Sequence, residues 1–166
     1  MNQPPQDTQT TESENETLLL GEAIVRRLMP STVIGLSGTL GTGKTKFSQG
    51  IASGLEIDPE TVTSPTFTIC IPYSGRLPLL HLDAYRIQSP EEVDELGLDE
   101  VVENGAVLLV EWSEKIAALI PPMDLHIHVH QTAERQRKFD FTASSSTGKQ
   151  LLQNLRTVQD EEKRGN

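Results

Sequence analysis

This 166-residue chain predicts an α/β fold, with helices packed on a largely parallel sheet, on three observations. The apolar run Val33-Ile34-Gly35-Leu36 leads into the glycine-rich Gly38-Thr39-Leu40-Gly41-Thr42-Gly43-Lys44-Thr45. Phe47, Gly50, Ile51 and Gly54 then recur at i, i+3, i+4 and i+7, so strand, loop and helix follow one another. Residues 106–110 are continuously apolar, as a strand buried on both faces is. Residues 123–130 and 136–142 read as two further strands, antiparallel neighbours at the margin of the sheet.

The elements follow in order. Residues 1–16 are Gln, Thr, Pro, Asn and Glu without an apolar run and are expected to be a disordered polar tail; 157–166 are expected to be a second one. One folded domain is then expected over 17–156. Leu20, Ala23, Ile24 and Leu28 share a helical face over 17–29, and Pro30 stops it. The helix after the glycine-rich loop closes at Gly54. Residues 67–73 and 77–82 flank Ser74-Gly75 and predict a β-hairpin. Ser89-Pro90-Glu91-Glu92 starts a short helix that stops near Gly97, and a second covers about 99–103. A last helix is expected over 147–156.

Net charge is −10, from 24 acidic and 14 basic residues, and no lysine-arginine cluster appears, which disfavours direct binding of DNA or RNA. A single cysteine, Cys70, excludes an internal disulfide. With no apolar stretch near 18 residues and no signal-peptide pattern, a soluble cytoplasmic protein without membrane contact is expected.

The run 38–45 fits the phosphate-binding pattern G-x-x-x-x-G-K-[ST]. Its glycines let backbone N–H groups converge on phosphate oxygens. Lys44 supplies a point charge for the β and γ phosphates, and the Thr45 hydroxyl suits Mg²⁺. The fold that houses such a loop is the three-layer P-loop NTPase fold, with a mixed sheet, mainly parallel at its centre and antiparallel at its edges. Hydrolysis also needs a carboxylate at the end of a buried strand. Asp83 follows Leu79-Leu80-His81-Leu82 and Glu111 ends the 106–110 run; both stand where ligands bind in such sheets, and local pattern does not divide the roles between them. Ser64-Pro65-Thr66 reads equally as a phosphate-sensing switch loop or as a proline turn. His126, His128 and His130 share one strand face, read as the solvent face of an amphipathic strand, and no metal other than Mg²⁺ is expected. Trp112 is either a stacking residue or ordinary packing.

Taken together, Leu36 to Thr45, Ser64-Pro65-Thr66-Phe67-Thr68, His81-Leu82-Asp83-Ala84-Tyr85-Arg86 and Glu111-Trp112 closely resemble the bacterial TsaE (YjeE) family over about 17–142. The resemblance implies a small Mg²⁺-dependent ATPase required for threonylcarbamoyladenosine at position 37 of tRNAs that read codons starting with A. It implies TsaB and TsaD as partners, tRNA met only through that complex, and the transfer chemistry residing in TsaD. Carried over, Gly38, Thr39, Leu40, Gly41, Thr42, Gly43, Lys44 and Thr45 form the phosphate loop, with Lys46 beside it. Thr66 becomes a switch I position and Asp83 a switch II position. Glu111 becomes the Walker B acid, near Mg²⁺ with Thr45, and Trp112 lies at the nucleotide. Lys44, Asp83 and Glu111 are then the catalytic set. Two departures stand out: the family usually has Asp at the position of Thr39 and a small hydroxyl residue at that of Lys46. Neither position supplies an obligatory phosphate donor, so they bear on affinity and turnover rather than on binding mode.

Other readings differ in what they require. A small-molecule P-loop kinase needs an arginine-bearing lid, whereas Arg86, Arg135 and Arg137 are scattered along the chain. A GTPase needs an N-K-x-D signature, which is absent. A nucleotide-gated binding module needs only the phosphate loop. The acidic residues between 91 and 103 read as a solvated helix face or as a surface for a basic partner.

Overall fold

The computed structural model describes residues 6–65 and 69–165. Seven strands, β1 (Asp7–Thr11), β2 (Val33–Ser37), β3 (Cys70–Tyr73), β4 (Leu79–Asp83), β5 (Val107–Glu111), β6 (Leu125–Gln131) and β7 (Arg137–Ala143), form one sheet in the order β1-β7-β6-β2-β5-β4-β3. The inner strands β6, β2, β5 and β4 are mutually parallel, while β7, β1 and β3 are antiparallel to their neighbours. This is the mixed sheet of the expected P-loop NTPase fold. Every residue of β2 and β5 is buried, which is why both read as unbroken apolar runs.

Helices α1 (Glu14–Val25), α2 (Lys44–Gly54) and α5 (Ser146–Arg164) cover one face. Leu20 and Ile24, Phe47 and Ile51, and Leu151 and Leu155 bury there against Ile34, Leu36, Leu109 and Ile127. The other face packs Val33, Leu82, Leu108 and Val110 under the short helices α3 (Pro90–Asp94) and α4 (Leu98–Glu103), with Ile116 and Ile120. Alternate residues of β4 and β5 therefore face opposite layers, and Leu79, Leu109 and their same-face neighbours look toward α2.

Helices α1 and α2 meet at two glycines. A Cβ on Gly50 would lie 2.1 Å from the Leu18 carbonyl oxygen, and one on Gly21 would lie 2.5 Å from that of Phe47. Backbone-to-backbone contact of this kind fixes where α2, and the loop ahead of it, sits on the sheet.

Both expected tails need correction within the described residues. Residues 7–11 of the segment expected as a polar tail form β1, paired with β7 from Asp7↔Phe141 to Thr11↔Arg137. An edge strand needs no apolar stripe when the ladder and polar contacts carry it. Thr8 Oγ1 donates to Asp140 Oδ1 at 2.8 Å, and Arg156 Nε to Asp7 Oδ2 at 2.8 Å. Helix α1 then starts at Glu14, three residues before the expected boundary, because Ser13 caps it: Ser13 Oγ accepts from the Glu16 N–H and the Glu16 carboxylate takes the Glu12 N–H. It ends at Val25, although Leu28 beyond it stays buried. Helix α5 runs on to Arg164 through the segment expected as a second tail. Leu151, Leu152 and Leu155 anchor it, and Arg156, Thr157, Asp160, Glu161 and Arg164 lie exposed along the rest of the helix, which closes at Gly165.

Candidate functional site

The glycine-rich loop leaves β2 at the centre of the sheet and turns into α2. Gly43, the N-cap of α2, has φ 99°, a left-handed conformation that glycine adopts at little cost, and no side chain caps the helix. The first-turn N–H groups of α2 are thus presented with their partial positive charge to whatever occupies the loop. Lys44 is buried at 5% exposure; its Nζ donates to Gly38 O at 2.7 Å and Thr39 O at 2.8 Å, and lies 4.2 Å from the centroid of the Trp112 ring. Burial pushes the Lys44 ammonium below its ordinary 10.5, while Glu111, Glu114 and Asp83 pull it back up. Trp112 itself holds φ 58°, rare for a bulky residue, and this turn places its ring against both Lys44 and Tyr85, whose ring centroid is 4.9 Å away.

Asp83 and Glu111 end neighbouring parallel strands and are register partners, both buried. Asp83 Oδ1 accepts from the Tyr85 N–H at 2.8 Å and Oδ2 from Ser64 Oγ at 3.3 Å, so the segment preceding Thr66 is tied to the acid that ends β4. Glu111 Oε1 meets Ser48 Oγ at 3.0 Å and His81 Nε2 at 2.9 Å. A cleft of about 490 Å³ gathers Leu40, Gly41, Thr42, Gly43, Lys44, Thr45 and Lys46 with Ser64, Asp83, Glu111 and Trp112. A threonine hydroxyl and two carboxylates are hard oxygen donors of the kind Mg²⁺ takes, and a loop of N–H groups above a buried ammonium suits a polyphosphate. The donor set fits both groups. Thr66 itself lies outside the described residues. Gly38 and Thr39 hold their place in the site through the two carbonyls on Lys44.

A second cleft of about 400 Å³ shares Glu14, Gly41, Gly43 and Lys46 with the first and adds Ser13, Thr17, Glu134, Arg135 and Arg137. Arg135 and Arg137, which look scattered in sequence, thus converge beside the loop, carried there by the β6–β7 hairpin. Lys46 spans both clefts with its Nζ 3.7 Å from Glu14 Oε2.

Sequence reasoning assigned no place in the site to Glu14, Ser48, His81, Arg135 or Arg137. Ser48 follows Lys44 by four residues on α2, and His81 precedes Asp83 by two on β4, so helical and strand periods carried the signal for both. For Glu14 and Arg137 there was none, because their place depends on the long-range pairing of β1 and β7. The three histidines of β6 are half-buried rather than solvent-facing: His128 Nδ1 is 2.6 Å from Ser37 Oγ, and His130 Nε2 is 3.0 Å from Asp140 Oδ2.

A family model described as "Threonylcarbamoyl adenosine biosynthesis protein TsaE" matches residues 11–139. A Bacillus subtilis protein named tRNA threonylcarbamoyladenosine biosynthesis protein TsaE is 38% identical over 146 residues, 87% of this chain and 90% of its own length. A Nostoc protein of the same name is 42% identical over 144 residues, 84% of this chain and 87% of that one. The crystal structure of YdiB from Bacillus subtilis superposes with a TM-score of 0.79 at 32% identity, covering 96% of this chain and 99% of that one.

Proposed function

The chain belongs to the TsaE family, and from that premise we propose that it is a Mg²⁺-dependent ATPase serving threonylcarbamoyladenosine formation in tRNA. It acts in the cytoplasm by driving or resetting a TsaB–TsaD-type complex. The observation that carries this reading is the convergence of Lys44, Thr45, Asp83 and Glu111 in one cleft beneath the phosphate loop, at the carboxyl ends of β2, β4 and β5.

In that reading the loop N–H groups from Gly38 to Thr45 and the start of α2 bind the phosphates, and Lys44 neutralises charge on the transferring group. Thr45 and Glu111 would hold Mg²⁺, which supplies Lewis-acid charge at the β and γ phosphates. Asp83 orients the attacking water, with Ser64 Oγ donating to its Oδ2 at 3.3 Å. The second cleft, lined by Arg135 and Arg137, takes the base and ribose. A net charge of −10 favours a protein partner over direct contact with tRNA.

Calorimetric titration with ATP and Mg²⁺, followed by phosphate release with and without TsaB and TsaD, tests the proposal. Tight binding and turnover stimulated by the partners are expected. Binding without turnover, even with both partners, favours a nucleotide-gated module instead.

A further inference from the structure

Glu111 sits at the end of β5 with no exposure to speak of, and a buried carboxylate needs hydrogen-bond donors to stay ionised and aimed. Two donors reach its Oε1. Ser48 Oγ carries a single proton and faces two acceptors, Lys44 O at 2.9 Å and Glu111 Oε1 at 3.0 Å, so it serves the carboxylate only part of the time. His81 Nε2 stands 2.9 Å from the same oxygen and has no competing acceptor among the described residues. His81 is fully buried on the next strand, and its Nδ1 finds no hydrogen-bond partner among the described residues. Because a carboxylate accepts only, the proton belongs on Nε2. Among the described residues, the one hydrogen bond this imidazole makes goes to Glu111.

We infer that His81 is the positioning residue for Glu111: it pins Oε1 and thereby leaves Oε2 to the cation in the cleft. The inference rests on the Mg²⁺–ATP reading above and deepens it. His81 reaches Glu111 because residues two apart on β4 share a face, so the strand that ends in Asp83 also carries the group that steadies the acid of β5. The two acids of the site are then held by different partners, Asp83 by backbone and Ser64, Glu111 by His81 and Ser48. A carboxylate steadied by an outer partner typically loses tenfold to a hundredfold in metal affinity when that partner goes.

The test compares wild type with His81→Leu, His81→Gln and His81→Asn, measuring affinity for a fluorescent ATP analogue with and without Mg²⁺ and the Mg²⁺ concentration for half-maximal hydrolysis. The Gln side-chain amide reaches the place of Nε2, whereas that of Asn stops near Nδ1. Expected is a rise of about tenfold to a hundredfold in the half-saturating Mg²⁺ for His81→Leu and His81→Asn, with Mg²⁺-free nucleotide affinity unchanged and kcat rather than KM for ATP reduced. His81→Gln restores most of it. If His81→Leu does not fold, the Gln and Asn pair decides, since both remove the ring and only one supplies the donor. Wild-type Mg²⁺ dependence in the Leu or Asn variant overturns the inference while leaving the ATPase reading standing. Wild-type protein whose ATP affinity ignores Mg²⁺ overturns that reading, and the inference with it.

Discussion

Lys44 concentrates the chemistry of the site in one side chain. It is a buried ammonium held by two loop carbonyls and an indole face, with three carboxylates close enough to influence its proton. Replacing it with Ala removes both the ammonium proposed to meet the phosphates and the loop's own brace, and we expect a fall on the order of 10²–10³ in kcat/KM for ATP hydrolysis, read from phosphate release. Glu111→Ala is expected to leave nucleotide binding largely intact and to lose hydrolysis. Unchanged turnover would shift the metal and catalytic role to Asp83. The motif residues were legible because each has a short-range signature, a glycine, a lysine or a strand-end acid. Their supports were missed: helical and strand periods put Ser48 and His81 on the faces of Lys44 and Asp83, but their shared contact with Glu111 shows only once β4, β5 and α2 face one another.

At the scale of elements, the position of α2 depends on the glycine contact with α1. Gly50→Ala drives a Cβ to 2.1 Å from a backbone carbonyl that no rotamer change relieves, and a loss of about 3 kcal/mol or more in unfolding free energy is expected from denaturant melts. Deleting residues 1–11 strips β1 from β7 and removes its ladder. At roughly 1 kcal/mol net per lost hydrogen bond, a destabilisation of a few kcal/mol follows, and β7 becomes an open edge prone to association. The inner strands and α2 were readable from apolar runs and helical spacing. β1 was not, since Asp7-Thr8-Gln9-Thr10-Thr11 carries no apolar period and is a strand only because β7 offers it a ladder. The polar end of α5 was hidden in the same way, its composition being that of a tail and of a solvated helix alike.

For the molecule as a whole, the histidine face of β6 sets a dependence on pH. His126 and His128 are held below the ordinary 6.5, first by burial, then by the neighbouring imidazole, with Glu114 and Asp140 opposing at His128 and Lys44 reinforcing. In the folded chain both take up a proton less readily than in the unfolded one. The unfolded state therefore binds more protons below about pH 6.5, and stability falls as the pH drops through that value. Melts between pH 7.5 and 5.5 are expected to show this slope, and His126→Asn to flatten it. Among the described residues no helix is long and apolar enough to cross a membrane. The central claim is that ATP turnover in this cleft sustains the tRNA modification. It is tested most directly by multi-turnover threonylcarbamoylation in a reconstituted TsaB–TsaD system given the preformed threonylcarbamoyl donor and ATP. Wild-type protein should support many rounds and Lys44→Ala no more than the system without this chain; sustained multi-turnover modification with Lys44→Ala would contradict the account.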